Sequence, residues 1–143
     1  MAKTPRPKAD ARYRRGLATL RRIHGDAGVE VLANAARTAP ELSEFVISFA
    51  FGDVYARPQL SLRERQIATV AACATLGHAL PQLKSHIKGA LNLGITEREI
   101  VEILTQMAVY AGFPAAMNAV SAAAEVFASR RAPSKPRTTR RRK

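Results

Sequence analysis

Residues 60–112 read LSLRERQIATVAACATLGHALPQLKSHIKGALNLGITEREIVEILTQMAVYAG, with apolar side chains at the three- and four-residue spacing of amphipathic helices. Two capping boxes, in which each side chain bonds the backbone amide of the other residue, begin helices here: Ser61 with Glu64, and Thr96 with Glu99. Gly77 and Gly94 stand where a left-handed residue ends a helix, and Pro81 suits a first turn between them. The stretch therefore predicts three consecutive helices joined by very short turns.

Helix signals continue on both sides of this stretch. A helix over residues 10–24, with an aspartate cap, ends at Gly25, and residues 28–37 form a short second helix. A third helix over residues 40–56 is apolar nearly all round, so we expect it to be largely buried. A last helix follows Pro114. Because no segment alternates with the two-residue period of a strand, the sequence predicts an all-α fold of six or seven helices.

The net charge of +12 belongs to the two ends of the chain. Residues 1–15 hold six Lys or Arg and one Asp, and residues 129–143 hold eight Lys or Arg and no acidic residue. The segment between them is nearly neutral. Charged stretches with proline and few apolar residues are typical of disorder. We therefore expect a disordered basic arm at 1–9, one helical domain at 10–129 and a disordered basic tail at 130–143.

The composition favours a protein of the cytoplasm. The single cysteine, Cys73, cannot form an internal disulfide, and it lies among alanines, where a buried thiol behaves as a small hydrophobe. No apolar run approaches the roughly 18 residues that span a bilayer. The basic N-terminus is not followed by the apolar segment of a secretory signal. We expect a cytoplasmic protein that makes no membrane contact.

His86 is the sharpest chemical feature of the sequence. It lies four residues after Gln82, on the helical face that carries Leu83, Ile87 and Ala90. An imidazole titrates near neutral pH, so His86 could act as a general acid or base, with Gln82 orienting a substrate or a water. The alternative is a histidine at the edge of the core that bonds a backbone carbonyl, and helical position alone favours that alternative.

A second cluster of candidates lies at the start of the preceding helix. Glu64, between Arg63 and Arg65, could relay a proton while the guanidinium groups hold an anion. The capping box already explains Glu64 and favours a structural role for it. Arg65 is harder to explain, because a cation near the positive end of a helix is unfavourable unless an anion is close.

The remaining candidates have simpler explanations. Tyr110 could offer its hydroxyl to a pocket, although a packed tyrosine is commoner. His78 follows a helix end, where cationic side chains are favoured. The histidines and the cysteine have no spacing typical of metal ligands, so the sequence predicts no metal site. There is also no CxxC pair, glycine-rich phosphate loop or Gly-x-Ser-x-Gly elbow.

The chain resembles the carboxymuconolactone decarboxylase family in several segments. Within residues 79–127 these are PQL, SHIKGALNLG, TEREI and YAGFPAAMNA; earlier segments are FGDVYARPQL at 51–60 and the opening RYRRGLATLRRIHGDAGVE. The resemblance covers about residues 12–128. The combination of segments is specific for the family and much less specific for the substrate.

The resemblance implies an all-α fold of the alkylhydroperoxidase D-like kind, assembled as a homo-oligomer that is commonly a trimer or hexamer. It places His86 at the family's histidine, which favours a functional role for this ring. The peroxidase branch of the family carries a CxxC pair before that histidine. Here the two positions are Ala79 and Gln82, so thiol peroxidase chemistry is not expected. Glu64 resembles the glutamate of that branch's proton relay.

The residues and the resemblance together predict a cofactor-free decarboxylase that acts on a small acidic lactone such as 4-carboxymuconolactone. His86 would donate a proton to carbon, Arg65 or Arg63 would hold a substrate carboxylate, and Gln82 and Tyr110 would orient the ring. Two alternatives stay open. One is a family member that acts on another small acidic substrate; the other is a non-catalytic oligomer whose basic ends bind nucleic acid without reading its sequence.

Overall fold

The computed structural model describes residues 11–132 of the 143-residue chain. Within that part the regular structure consists of six α-helices and one π-helical segment, without a strand. In chain order these are α1 (Ala11–Ala35), α2 (Pro40–Phe45), the π-helix (Val46–Val54), α3 (Leu62–Leu76), α4 (Leu80–Asn92), α5 (Glu97–Ala111) and α6 (Phe113–Arg131). The prediction of an all-α fold is confirmed for the described residues.

The two predicted basic ends fall mostly outside this part of the chain. The arm at 1–9 lies outside the described residues, and so does the tail at 130–143 except for its first three positions. There α6 continues through Arg131, two residues past the predicted end of the helical domain. Between residues 11 and 132 no helix is both long and apolar enough to cross a membrane.

The helices of the second half begin and end at the predicted residues. The Ser61 hydroxyl accepts from the Glu64 amide, and the Glu64 carboxylate accepts from the Ser61 amide at 2.6 Å. Thr96 and Glu99 form the second capping box at the start of α5. At two of the predicted helix ends a glycine adopts the left-handed conformation. They are Gly77, with φ 72°, and Gly94, with φ 82°.

The first helix is kinked at the residue where the sequence predicts its end. Gly25 has φ 64° and ψ −165°, a conformation that is essentially confined to glycine. The helical pattern resumes after it, so the predicted second helix over residues 28–37 is the second half of α1, which ends at Ala35. The kink separates the buried residues Leu20 and Ile23 from the outer half of the helix.

The prediction that the segment 40–56 is largely buried is wrong for the single chain. Ile47 and Phe51 are buried against α1, whereas the side chains of Phe45 and Phe49 are 65% and 59% exposed. A helix buries only the face that a neighbour covers, and α1 covers one side of this segment. The segment is also divided, because its second part is wound as a π-helix.

Two cores meet where α4 packs against α1. The smaller core joins α1 to the π-helix, and the larger one lies among α3, α4, α5 and α6. The fully buried side chains of the larger core include Val70, Leu83, Ile87, Ile100 and Leu104. The junction between the cores brings residues of α1, α3 and α4 together, and the candidate site lies there.

Candidate active site

His86 stands beside the buried face of α4. Leu83, Ile87 and Ala90 are completely buried and fix the orientation of the helix, while His86 is half-buried at the edge of that face. Its Nδ1 lies 3.2 Å from Oε1 of Gln66, a residue of α3 with 0% exposure. A carbonyl oxygen can only accept, so Nδ1 carries the hydrogen of this bond. Nε2 is then the ring nitrogen that can exchange a proton.

A second histidine packs against the His86 ring. His24 reaches the site from α1, one residue before the kink, and its ring centroid lies 5.1 Å from that of His86 at an interplanar angle of 70°. Gly89 makes this approach possible. A Cβ at position 89 would lie 2.7 Å from Ile23 Cγ2, 3.0 Å from His24 Cε1 and 3.2 Å from Gln66 Nε2. Any larger residue would push these three side chains apart.

The surroundings keep the His86 ring uncharged at neutral pH. Burial and, second, the neighbouring charge of His24 lower the pKa of His86 to about 4. Burial also lowers the pKa of His24, although a hydrogen bond with the backbone of Ser85 acts in the opposite direction. Two imidazoles in contact disfavour a positive charge on either one. An anion close to the pair would oppose that preference and make protonation of a ring more favourable.

A cavity of about 260 Å³ opens beyond His24. It lies between α1, α4 and α6, and His24, whose ring contacts that of His86, forms part of its wall. Its walls are formed by seven residues, which are His24, Ala27, Lys88, Asn92, Val126, Ser129 and Arg130.

Glu64 and Arg63, two of the predicted site residues, are engaged in contacts at the start of α3. Glu64 is exposed and completes the capping box, and the hydrogen bonds from Ser61 hold the pKa of the Glu64 carboxyl below its usual range. Arg63 forms an ion pair with Glu99, the capping residue of α5. The predicted roles of Glu64 in a proton relay and of Arg63 as a carboxylate ligand stay predictions.

Arg65, Gln82 and Tyr110 lie elsewhere on the surface or its edge. Nη2 of Arg65 donates to the Arg57 carbonyl at 3.0 Å, while its Nε is buried and has no partner among residues 11–132. Gln82 is exposed, and the side chain of Tyr110 is 74% exposed. In the described chain no hydrogen bond joins these three side chains to His86.

The sequence reasoning identified His86 and missed its two partners. Gln66 lies on the same face of α3 as the buried residues Val70, Cys73 and Ala74. A glutamine within an apolar stripe is a detectable signal, because a buried amide needs partners. His24 gave no comparable local signal, since its contact with His86 depends on how α1 packs against α4.

The site has the character of an acid–base site. Among the described residues no group of three histidine, cysteine or carboxylate side chains is arranged to hold a metal ion. Cys73 is buried as predicted, and burial raises the pKa of its thiol, which disfavours the reactive thiolate. These groups can support proton transfer at Nε2 of the half-buried His86 imidazole.

Comparison with known proteins identifies the family of the chain. Residues 40–125 match the model of the carboxymuconolactone decarboxylase family. A 4-carboxymuconolactone decarboxylase from Acinetobacter baylyi is 32% identical over 119 residues, which is 82% of this chain and 88% of that protein. A nitrosuccinic acid decarboxylase from Metarhizium robertsii is 35% identical over 98 residues, 65% of this chain and 67% of that protein.

A third relative is an uncharacterized 15.0 kDa protein from Paracoccus denitrificans. It is 32% identical over 93 residues, which is 64% of this chain and 69% of that protein. The family match covers more than half of the chain, and the first relative is matched over most of both sequences. The chain belongs to the carboxymuconolactone decarboxylase family.

Proposed function

We propose that this protein is a cofactor-free decarboxylase of a small acidic compound, with 4-carboxymuconolactone or a related lactone as its substrate. Two of the relatives carry names of decarboxylases, which supports this general activity. The observation that carries the proposal is the position of His86. Its ring is held by Gln66 and flanked by His24, with Nε2 left to exchange a proton.

The proposed reaction needs one proton donor. Loss of CO₂ breaks the bond between the carboxylate carbon and the substrate, and the electron pair spreads over the unsaturated ring and the lactone carbonyl. The carbon that receives this pair then takes a proton from Nε2 of the charged His86 ring. The ring returns to its neutral form, with the hydrogen of Nδ1 still directed at Gln66, and water restores the proton for the next cycle.

The substrate supplies the charge that this step requires. Free His86, with a pKa of about 4, is neutral at pH 7. A carboxylate within about 4–6 Å typically raises the pKa of a neighbouring cation by roughly 1–3 units. An acidic substrate therefore favours protonation of His86 when it binds. Loss of CO₂ leaves that negative charge on the dienolate. Once the carbon has taken the proton the charge is gone, and the neutral ring is favoured again.

The proposed substrate contacts differ in how well the single chain supports them. Arg65 is the best candidate for a carboxylate ligand, because its buried Nε has no partner in the described part of the chain. Arg63 already pairs with Glu99, and Glu64 with Ser61. Gln82, one turn before His86, is exposed and is proposed to orient the substrate. Tyr110 is proposed for the same role from α5.

Measuring CO₂ release tests the proposal. The full-length protein, without added metal or cofactor, is incubated with 4-carboxymuconolactone and, separately, with nitrosuccinate. We expect release of CO₂ from at least one of the two acids and consumption of a proton from the solvent. No release above the spontaneous rate from either acid would reject this function.

The protein is further proposed to act as a homo-oligomer, a trimer or a hexamer. Large apolar side chains are exposed at the turn between α5 and α6, and exposed apolar surface of this kind supports a contact between chains. They are Val109, Tyr110, Phe113 and Met117, with exposures of 64–78%.

The charged ends of the chain support a second candidate function, nonspecific binding of nucleic acid. Several basic ends brought together by an oligomer would attract phosphate backbones regardless of base sequence. Retention of duplex DNA that falls steeply with salt and is lost on deletion of residues 1–9 and 133–143 is the expected result. Retention that does not change with salt or with the deletions would contradict it.

A further inference from the structure

We propose that the cavity between α1, α4 and α6 is a binding site for a small organic carboxylate, with Lys88 and Arg130 as its cationic ligands and His24 as its link to His86. The proposal rests on the proposed function in one respect, because it assigns one carboxylate of a dicarboxylate substrate to this cavity, apart from the carboxylate proposed for Arg65. The binding itself is measurable without turnover, so the two proposals can fail separately.

The cavity wall is positively charged and carries no acidic residue. Lys88 from α4 and Arg130 from α6 line it, and in the described chain neither forms an ion pair. Their neighbours differ: Lys84, one turn earlier on α4, pairs with Glu125 at 2.6 Å, and Arg131 pairs with Glu97. Unlike these two neighbours, the two cations that line the cavity have no counter-charge among the described residues, and an anionic ligand could supply it.

Asn92 holds this wall in place. Nη1 of Arg130 donates to the Asn92 side-chain oxygen at 3.2 Å, and Nδ2 of Asn92 donates to the carbonyl of Ile23 at 2.9 Å. These two bonds tie α6 to α4 and α4 to α1, next to the kink at Gly25. The remaining N–H groups of the guanidinium stay free to bind a ligand, and a cation fixed in advance loses less entropy on binding.

The size and the lining of the cavity indicate the kind of ligand that fits. The cavity has a volume of about 260 Å³ and is open to solvent on the side where Lys88 and Arg130 are exposed. Ala27 and Val126 add apolar surface to the wall. The site therefore suits a compact acid with a short carbon skeleton, in which carboxylate groups meet Lys88 and Arg130 and the carbon atoms contact the apolar side.

His24 connects this site to the acid–base pair. Its ring lines the cavity and contacts the His86 ring. The charged residues that line the cavity are Lys88 and Arg130, both cations. The residues that α3 and the π-helix bring to the histidine pair are uncharged. They are Gln66, which bonds His86, and Phe51, whose ring centroid lies 5.9 Å from that of His24. An anion here offsets the cations and favours protonation of the histidines. Binding should therefore tighten as the pH falls from 8 to 6.

Succinate is the probe that tests the site, by isothermal titration at low ionic strength and pH 6.5. We expect succinate to bind the full-length protein and the neutral analogue succinamide not to bind. Lys88→Met and Arg130→Met should each weaken the succinate Kd at least tenfold. Lys84→Met and Arg131→Met, which remove the same charge from the adjacent paired positions, should leave it within about twofold. Circular dichroism checks that each variant is folded, and Lys88→Gln replaces Lys88→Met where it is not.

Each outcome decides one of the two proposals. No succinate binding at millimolar concentration, equal binding of succinamide, or equal losses in the Lys84 and Lys88 variants would overturn the site. If succinate binds with the expected pattern but the protein releases no CO₂, the binding site is supported and the decarboxylase function is rejected. CO₂ release with an unchanged KM in Lys88→Met and Arg130→Met supports the decarboxylase and rejects the site.

Discussion

His86 is held in position by residues from two other helices. Gln66 directs a carbonyl oxygen at Nδ1, which leaves Nε2 for exchange, and His24 lies against the ring and disfavours its positive charge. Of these three residues, helical periodicity singled out only His86. The hydrogen bond joins residues 20 positions apart in the chain, and no local pattern fixes such a distance.

The first prediction concerns the charge of the ring. Replacing His24 with alanine removes a neighbouring charge and admits water, and both changes favour the imidazolium. The pKa of His86 should rise from about 4 toward 6.5, measured by NMR from the pH dependence of its ring Cε1 resonance. His78→Ala, which removes an exposed histidine, should leave the pKa of His86 unchanged.

The same pKa carries a consequence for stability. The neutral ring is favoured in the folded state and His86 titrates near 6.5 when unfolded, so stability is lost as the pH falls from 6.5 to about 4 and no further below that. The loss attributable to His86 is about 3 kcal/mol. In His24→Ala the pKa of folded His86 should lie closer to 6.5, so the pH range over which His86 lowers the stability should be narrower. A pKa of His86 that stays near 4 in this variant would contradict the role given to His24.

The second prediction concerns Gln66. Gln66→Met keeps much of the buried volume but removes the acceptor from Nδ1, so the ring loses its fixed orientation and tautomer. A neutral hydrogen bond contributes about 0.5–1.5 kcal/mol, so kcat should fall about two- to tenfold with little change in KM. Gln66→Glu places a negative charge at the same position and should raise the pKa of His86. Unchanged kcat in Gln66→Met would show that this bond is only structural.

At the scale of the helices, short-range chemistry was predictable and the packing of helix on helix was not. Both capping boxes depend on residues three positions apart, and both are present. The division of the segment 40–56 into an α-helix and a π-helix was not predicted, because an apolar run fits either winding. The exposed Phe45 and Phe49 were missed because periodicity cannot tell a core face from a face left open to another chain.

The third prediction concerns the contact between α1 and the π-helix. A Cβ at Gly16 would lie 1.8 Å from the carbonyl oxygen of Ile47, so Gly16→Ala must push the backbones apart. The free energy of unfolding should fall by roughly 3 kcal/mol or more, measured by urea denaturation. Gly25→Ala meets no atom within 4 Å and should cost only the roughly 1–3 kcal/mol of its backbone conformation. An equally stable Gly16→Ala protein would contradict this packing.

At the scale of the whole molecule, the segment 16–128 is close to neutral and the basic residues are concentrated near the ends. The predicted fold class and family hold, whereas the subunit number stays a prediction. Because the outer face of the segment 40–56 and the α5–α6 turn both expose large apolar side chains, one chain alone leaves two apolar surfaces uncovered.

The fourth prediction addresses assembly. Light scattering of the wild-type protein should give the mass of three or six chains. Phe113→Glu puts a charge on the exposed turn, at a helix start where an acidic side chain is favourable, so the fold should persist while the assembly becomes smaller. Ser121→Glu, two turns further along α6, controls for added charge. A wild-type protein that is a monomer at all concentrations would contradict the proposed oligomer.

The most direct test is the rate of CO₂ release by His86→Ala, with the acid that the wild-type protein decarboxylates. General acids contribute about 10²–10⁴-fold to a rate, so a folded His86→Ala protein should lose at least a hundredfold in kcat while His78→Ala retains wild-type turnover. Turnover by His86→Ala within a few-fold of the wild type would contradict the assignment of His86 as the proton donor.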